Sequence, residues 1–173
     1  MSTNNKETGS AESLTALYPR DYYGWIQRNV YAIRAGRIDR VDWANIAEEL
    51  EDMGKSEKRV LRSQLARLMA HLLKWAYQPK RRPTSQNSWR ATIKHSRRSI
   101  NEFLQESLSL KPQLPEIVPA AFGDALAQVL SETGLPEQTF QAACPWNLQQ
   151  MMAEDFWPEI EVSVPQRWAR RSN

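Results

Sequence analysis

Residues 42–77 read DWANIAEELEDMGKSEKRVLRSQLARLMAHLLKWAY, and the spacing of their apolar side chains decides the fold class. Trp43, Ile46, Ala47 and Leu50 recur at i, i+3, i+4 and i+7, the period of one helical face. From Val60 that period resumes through Leu61, Leu65, Leu68, Leu72, Trp75 and Ala76. Asp42 is a good N-cap. Pro79 stops the run, because the residue before a proline avoids helical dihedrals. Gly54 and Ser56 offer a break between the halves, so one kinked helix and two separate helices are both open.

On the N-terminal side, a helix is expected from near Pro19, with Asp21 at its positive end and Gly36 as C-cap. Tyr22, Ile26, Val30 and Ile33 form its apolar stripe. Residues 78–87 hold two prolines, three adjacent cations and four small polar side chains, and read as the clearest loop. A third helix is expected from about Ser88 to Leu108, lined by Trp89, Ile93, Ile100, Phe103, Leu104 and Leu108. A fourth is expected from about Pro112 to Thr133, kinked or delayed by Pro119 and stopped by Gly134 and Pro136. Short turns are expected near 136–140 and 146–153. No segment alternates long enough for a sheet; Val162 and Val164 come nearest. The fold class expected is all-α, an up-and-down bundle of four to five main helices with a short irregular C-terminal segment. Its layout is a disordered leader over 1–13, a single helical domain over 14–158 and a loose tail over 159–173.

The chain has 173 residues, which suits one domain of about 150 residues. One cysteine, Cys144, excludes an internal disulfide framework and a cysteine-rich zinc site. The first 13 residues lack the apolar core of a secretory signal, and no stretch reaches the ~20 apolar residues of a membrane span, so a cytoplasmic protein off the membrane is expected. The net charge of +3 is unevenly spread. Residues 1–54 carry −3, residues 55–98 carry +12 with Glu57 their one acid, and residues 99–173 carry −6. Such a basic block is either a footprint for an anionic partner or is matched within the fold by the acidic flanks.

A series of ordered motifs resembles one known family. They are Leu17-Tyr18, Asp21-Tyr22-Tyr23-Gly24-Trp25, Ile33-Arg34-Ala35-Gly36-Arg37 and the run from Asp42 to Gly54. Further on stand His71-Leu72-Leu73-Lys74-Trp75, Gln78-Pro79, Ser88-Trp89-Arg90 and Glu132-Thr133-Gly134-Leu135-Pro136. Cys144-Pro145-Trp146 and Asp155-Phe156-Trp157-Pro158 complete the series. In order and spacing these resemble the domain of unknown function 29 family over roughly residues 14–158. The resemblance implies a small all-helical bacterial protein, in a family best known from cyanobacteria. It implies no activity, so no catalytic residue is carried over.

Several constellations could carry chemistry. Glu48 with Glu51 or Asp52 stands at helical i, i+3/i+4 spacing, which lets carboxylates share a face. A bundle metal site also needs Glu-x-x-His pairs from facing helices, and none occurs; the plain alternative is a solvated face paired with Lys55, Lys58 and Arg59. No metal or cofactor is expected. Arg90 and His95 match the Arg-x4-His spacing of helical ribonucleases, yet at about 100° per residue they lie about 140° apart. His71 is expected at the core edge with a hydrogen bond, and Cys144 as a packed thiol. The candidate anion or nucleic-acid contact is Lys80, Arg81, Arg82, Arg90, Lys94 and Arg97, with the last three at i, i+4, i+7. Trp43, Trp75 and Trp89 are expected in the core, with Trp75 and Trp89 meeting across an antiparallel pair, and Trp157 anchoring the C-terminal segment.

Three functions follow in order. The first is a non-catalytic interaction or structural protein with a protein partner. The second is a nucleic-acid-associated protein using residues 80–98. The third is a hydrolase or ribonuclease-like enzyme.

Overall fold

A computed structural model describes residues 13–159. Most of the expected leader, the expected tail from residue 160, and Val162 and Val164 lie outside the described residues. Six α-helices, four of them long, and no strand are found among the described residues. They are α1 (Leu14–Leu17), α2 (Tyr22–Arg34), α3 (Trp43–Tyr77), α4 (Arg82–Glu106), α5 (Leu114–Thr133) and α6 (Leu148–Met152). The all-α class is therefore the observed one.

The boundaries have local causes. The Asp21 carboxylate accepts from the Gly24 backbone N–H at 2.9 Å and starts α2. Gly36 and Gly134 sit at φ +69° and +66°, the left-handed region that ends helices. Asn147 and Gln150 form a reciprocal capping box at the start of α6. The question at Gly54 is resolved: α3 runs unbroken through it.

Two expectations are corrected. The loop over 78–87 is mostly helix: Pro79–Arg81 is a 3-10 turn and α4 begins at Arg82. Pro83 occupies the first turn of α4, where the missing N–H needs no helical partner, so a proline counted as a loop signal favours a helix start instead. Pro119 does not delay the start of α5, which begins at Leu114 and holds that proline inside it.

Backbone packing divides the chain between Lys55 and Ser56 into two compact units. Unit 2, from Ser56 onward, holds the main core: Leu61, Leu65, Leu68, Met69, Leu72, Ile93, Ile100 and Val129 are sealed from solvent. Arg62 pairs with Asp124 and Lys74 with Glu132 at 2.6 and 2.7 Å, so α3 and α5 run in the same direction. Short 3-10 turns link α3 to α4 and α4 to α5, which is up-down-up connectivity. Unit 1 contains α1, α2 and the first turns of α3, with Leu17, Trp25, Ala32 and Val41 buried.

Candidate functional site

The basic block does not form one free surface. Lys80, Arg81, Arg90 and Lys94 are exposed and Arg82 is half-buried, but Arg97 is 3% exposed. Its Nε donates to the Met151 carbonyl at 2.7 Å, its Nη1 to Glu154 at 3.2 Å and its Nη2 to Phe156 at 2.6 Å. Arg97 is therefore a correction to the anion-contact set. The segment after α6 has no partner strand to take its carbonyls, and the guanidinium supplies those donors instead.

Tryptophan rings complete this clasp. Trp157 packs on Trp75 with centroids 4.8 Å apart. Arg90 lies 4.8 Å and Arg97 5.5 Å from the Trp157 ring centre, and Arg82 lies 5.1 Å from that of Trp75. Arg82 Nε also donates to the Trp75 carbonyl at 2.8 Å, capping the end of α3. Trp75 and Trp89 are buried, as expected, and Trp157 does hold the C-terminal segment. The indole that meets Trp75, however, is Trp157.

Other candidates stand apart. Glu48, Glu51 and Asp52 are exposed, and Asp52 pairs with Lys55 at 2.8 Å. Among the described residues no group of three or more His, Cys, Asp or Glu is placed to hold a metal ion. His95 is exposed, while Arg90 is engaged with Trp157. His71 Nδ1 lies 2.9 Å from the Arg67 carbonyl, and burial lowers its pKa. Cys144 Sγ donates to the Trp146 carbonyl at 3.2 Å, and burial pushes its pKa up.

Unit 1 holds its helices together through polar pairs. Trp25 Nε1 donates to Asp42 Oδ2 at 3.0 Å, and Asn45 Nδ2 donates to the same oxygen at 2.7 Å. The Asp42 N–H donates to Asn29 Oδ1, and Asn29 Nδ2 to the Trp25 carbonyl, both at 2.9 Å. Burial alone would raise the Asp42 pKa, but the bonds from Asn45 and Trp25 outweigh it and hold the group below its ordinary value. Tyr18 and Tyr22 donate to the two oxygens of Glu49 at 2.6 and 2.7 Å. The bond to Glu49 pushes the Tyr18 pKa up to about 12.

This polar seam turns Asn45 and Glu49 of α3 toward α2, and the apolar stripe faces outward. Trp43 is 50% exposed, Leu50 62% and Met53 63%, which corrects the expectation of Trp43 as core. On α2, Trp25, Asn29 and Ala32 are buried, whereas Tyr22 and Ile33 of the expected stripe are exposed. Tyr23, Tyr31 and Ile38 are exposed as well. Of the ten large hydrophobic side chains most open to solvent among the described residues, eight lie in unit 1. Hydrophobic periodicity placed Tyr22, Ile33, Trp43 and Leu50 on apolar stripes but did not pick out Tyr23, Tyr31, Ile38 or Met53; the network around Asp42 and Glu49 carried no periodic signal.

The fold and its sites define a small all-helical protein with a clasped C-terminal segment and an apolar surface on its N-terminal unit. The profile of the family described as Domain of unknown function DUF29 matches residues 17–157, and the chain belongs to that family. No curated protein and no solved structure matches it. Among the described residues no helix is long and apolar enough to cross a membrane.

Proposed function

We propose that this chain is a non-catalytic bacterial interaction protein of the cytoplasm, acting as one functional domain, and that a protein partner docks on unit 1. One observation carries the reading: Trp43, Leu50 and Met53 of α3 leave a helical stripe open to solvent, with the Trp43 indole held against the exposed Ile38 by a bond to its carbonyl. A soluble domain rarely leaves such side chains clustered without a partner. Large apolar and aromatic groups are also the usual anchors of protein interfaces.

The nucleic-acid reading is narrower than the sequence suggests. It retains Lys80, Arg81 and Lys94, while Arg82, Arg90 and Arg97 are occupied by Trp75, Trp157 and backbone carbonyls. The hydrolase reading has Arg90 and His95 as its pair, and Arg90 sits against Trp157.

A photo-crosslinking residue placed at Leu50, and separately at Leu108, tests the proposal. Leu108 is 61% exposed but lies in unit 2, so it controls for hydrophobic exposure alone. A discrete protein adduct in cells from position 50 and not from position 108 is expected. No adduct from position 50, or the same adducts from both, overturns the reading.

A further inference from the structure

A second surface, within unit 2, is built from charge. Arg59, Arg62 and Arg67 of α3 line a cleft of about 710 Å³, closed on its other side by Asp124 and Gln128 of α5. At about 100° per residue Arg59 stands between the other two around the helix, about 60° from Arg62 and about 80° from Arg67, and all three border the cleft. Arg62 donates from Nε and Nη2 to the two Asp124 oxygens at 2.6 and 2.7 Å, which fixes its guanidinium at the middle of the cleft. Among the described residues neither Arg59 nor Arg67 pairs with a carboxylate.

We infer that this cleft binds a small molecule carrying a chain of linked phosphates. The lining leaves a surplus of two positive charges after Asp124 is counted against the arginines. No aromatic ring lines it and Ala66 is its one aliphatic side chain, so the ligand is recognised through its anionic groups. Guanidinium forks match phosphate oxygens in pairs. Arg59 and Arg67 stand eight residues apart, about 12 Å along the helix axis at ~1.5 Å per residue. An anion with charge at both ends meets both; a single phosphate meets one. The absence of a stacking ring sets the cleft apart from surfaces that bind single-stranded nucleic acid through base stacking.

Calorimetric titration of the full chain with inorganic tripolyphosphate, orthophosphate and a short single-stranded RNA tests this at ~50 mM salt, where charge contacts are strong. Tripolyphosphate is expected to bind at least about tenfold more tightly than orthophosphate, and R59Q/R67Q to weaken it at least about tenfold. R59K/R67K, which keeps charge but loses the fork, is expected to fall between. K80Q/R81Q/K94Q is expected to bind as the parent does, and thermal melts of all variants should coincide because these side chains are exposed. Absent tripolyphosphate binding, equal affinity for orthophosphate, or unchanged binding in R59Q/R67Q overturns the inference. Tighter binding of RNA through the same arginines overturns the small ligand in favour of a polynucleotide. None of these outcomes bears on the apolar surface of unit 1.

Discussion

Arg97 and Phe156 lie 59 residues apart in sequence, and the guanidinium of one donates to the backbone carbonyl of the other at 2.6 Å. With the bonds to Met151 and Glu154, this makes a residue from the middle of the basic block a fastener for the C-terminal segment. Arg97→Gln leaves carbonyls unpaired in a buried setting. Charge-assisted hydrogen bonds are worth about 1.5–3 kcal/mol each and are not additive, so a loss of about 2–4 kcal/mol is expected. Lys94→Gln, on the exposed side of the same helix, should stay within about 0.5 kcal/mol. Denaturant melts of the two variants compare them, and equal, small losses would place Arg97 on a free surface after all.

The contrast between Arg97 and Lys94 shows where sequence reading stops. Periodicity places 90, 94 and 97 near one another on a helix, and it locates α3 and α5 within a few residues, while α4 starts six residues before the expected Ser88. It cannot say which cation a distant segment will cover, because that depends on carbonyls some 55–60 residues away. Glycine and proline were read well where they end a helix, at Gly36, Gly134 and Pro79. They misled where a proline opens one, at Pro83. The stripe on α3 was seen correctly as apolar and helical. Its burial was misjudged because polar pairs, Glu49 with Tyr18 and Tyr22 and Asp42 with Trp25, decide which face meets α2.

Gly54 lies inside α3 with nothing within 4 Å of where a Cβ would stand. Glycine in a helix interior costs about 0.8–1.0 kcal/mol relative to alanine. Gly54→Ala is therefore expected to stabilise the chain by about 0.5–1 kcal/mol, read as a rise in melting temperature with more helical circular dichroism. A lower melting temperature would mean that the helix is broken at this point.

Asp42 links unit 1 stability to pH. Its pKa in the folded chain lies below the unfolded value of about 3.9. The stability it confers is complete above that value and is lost as pH falls through the folded-state pKa. Glu132 is shifted in the same direction by its bonds to Lys74 and Gln128, so acid weakens the whole chain and the Asp42 share must be read as a difference. The gap in unfolding free energy between the parent and Asp42→Asn is expected to be largest near neutral pH and to shrink below about pH 4. Tryptophan fluorescence in a denaturant series at several pH values measures it. A gap that widens in acid would contradict the network around Trp25.

The outward stripe of α3 makes the sharpest separation between folding and function. A core tryptophan or leucine replaced by a small polar residue costs several kcal/mol, about 3–5 for the tryptophan. Trp43 and Leu50 are 50% and 62% exposed, and Trp43 keeps one internal bond, from Nε1 to the Ile38 carbonyl at 3.1 Å. Leu50→Ser should therefore change stability by no more than about 0.5 kcal/mol, and Trp43→Ser by about 1 kcal/mol for the lost hydrogen bond. Trp75→Ser, 7% exposed and packed on Trp157, is the internal standard for a core loss and should melt far earlier. If the stripe is where a protein partner docks, Leu50→Ser abolishes the crosslinked adduct trapped from a neighbouring position such as Met53 while the melt stays unchanged. A large drop in stability on Leu50→Ser would instead mean that the chain itself covers this face, and the docking surface would have to be sought elsewhere.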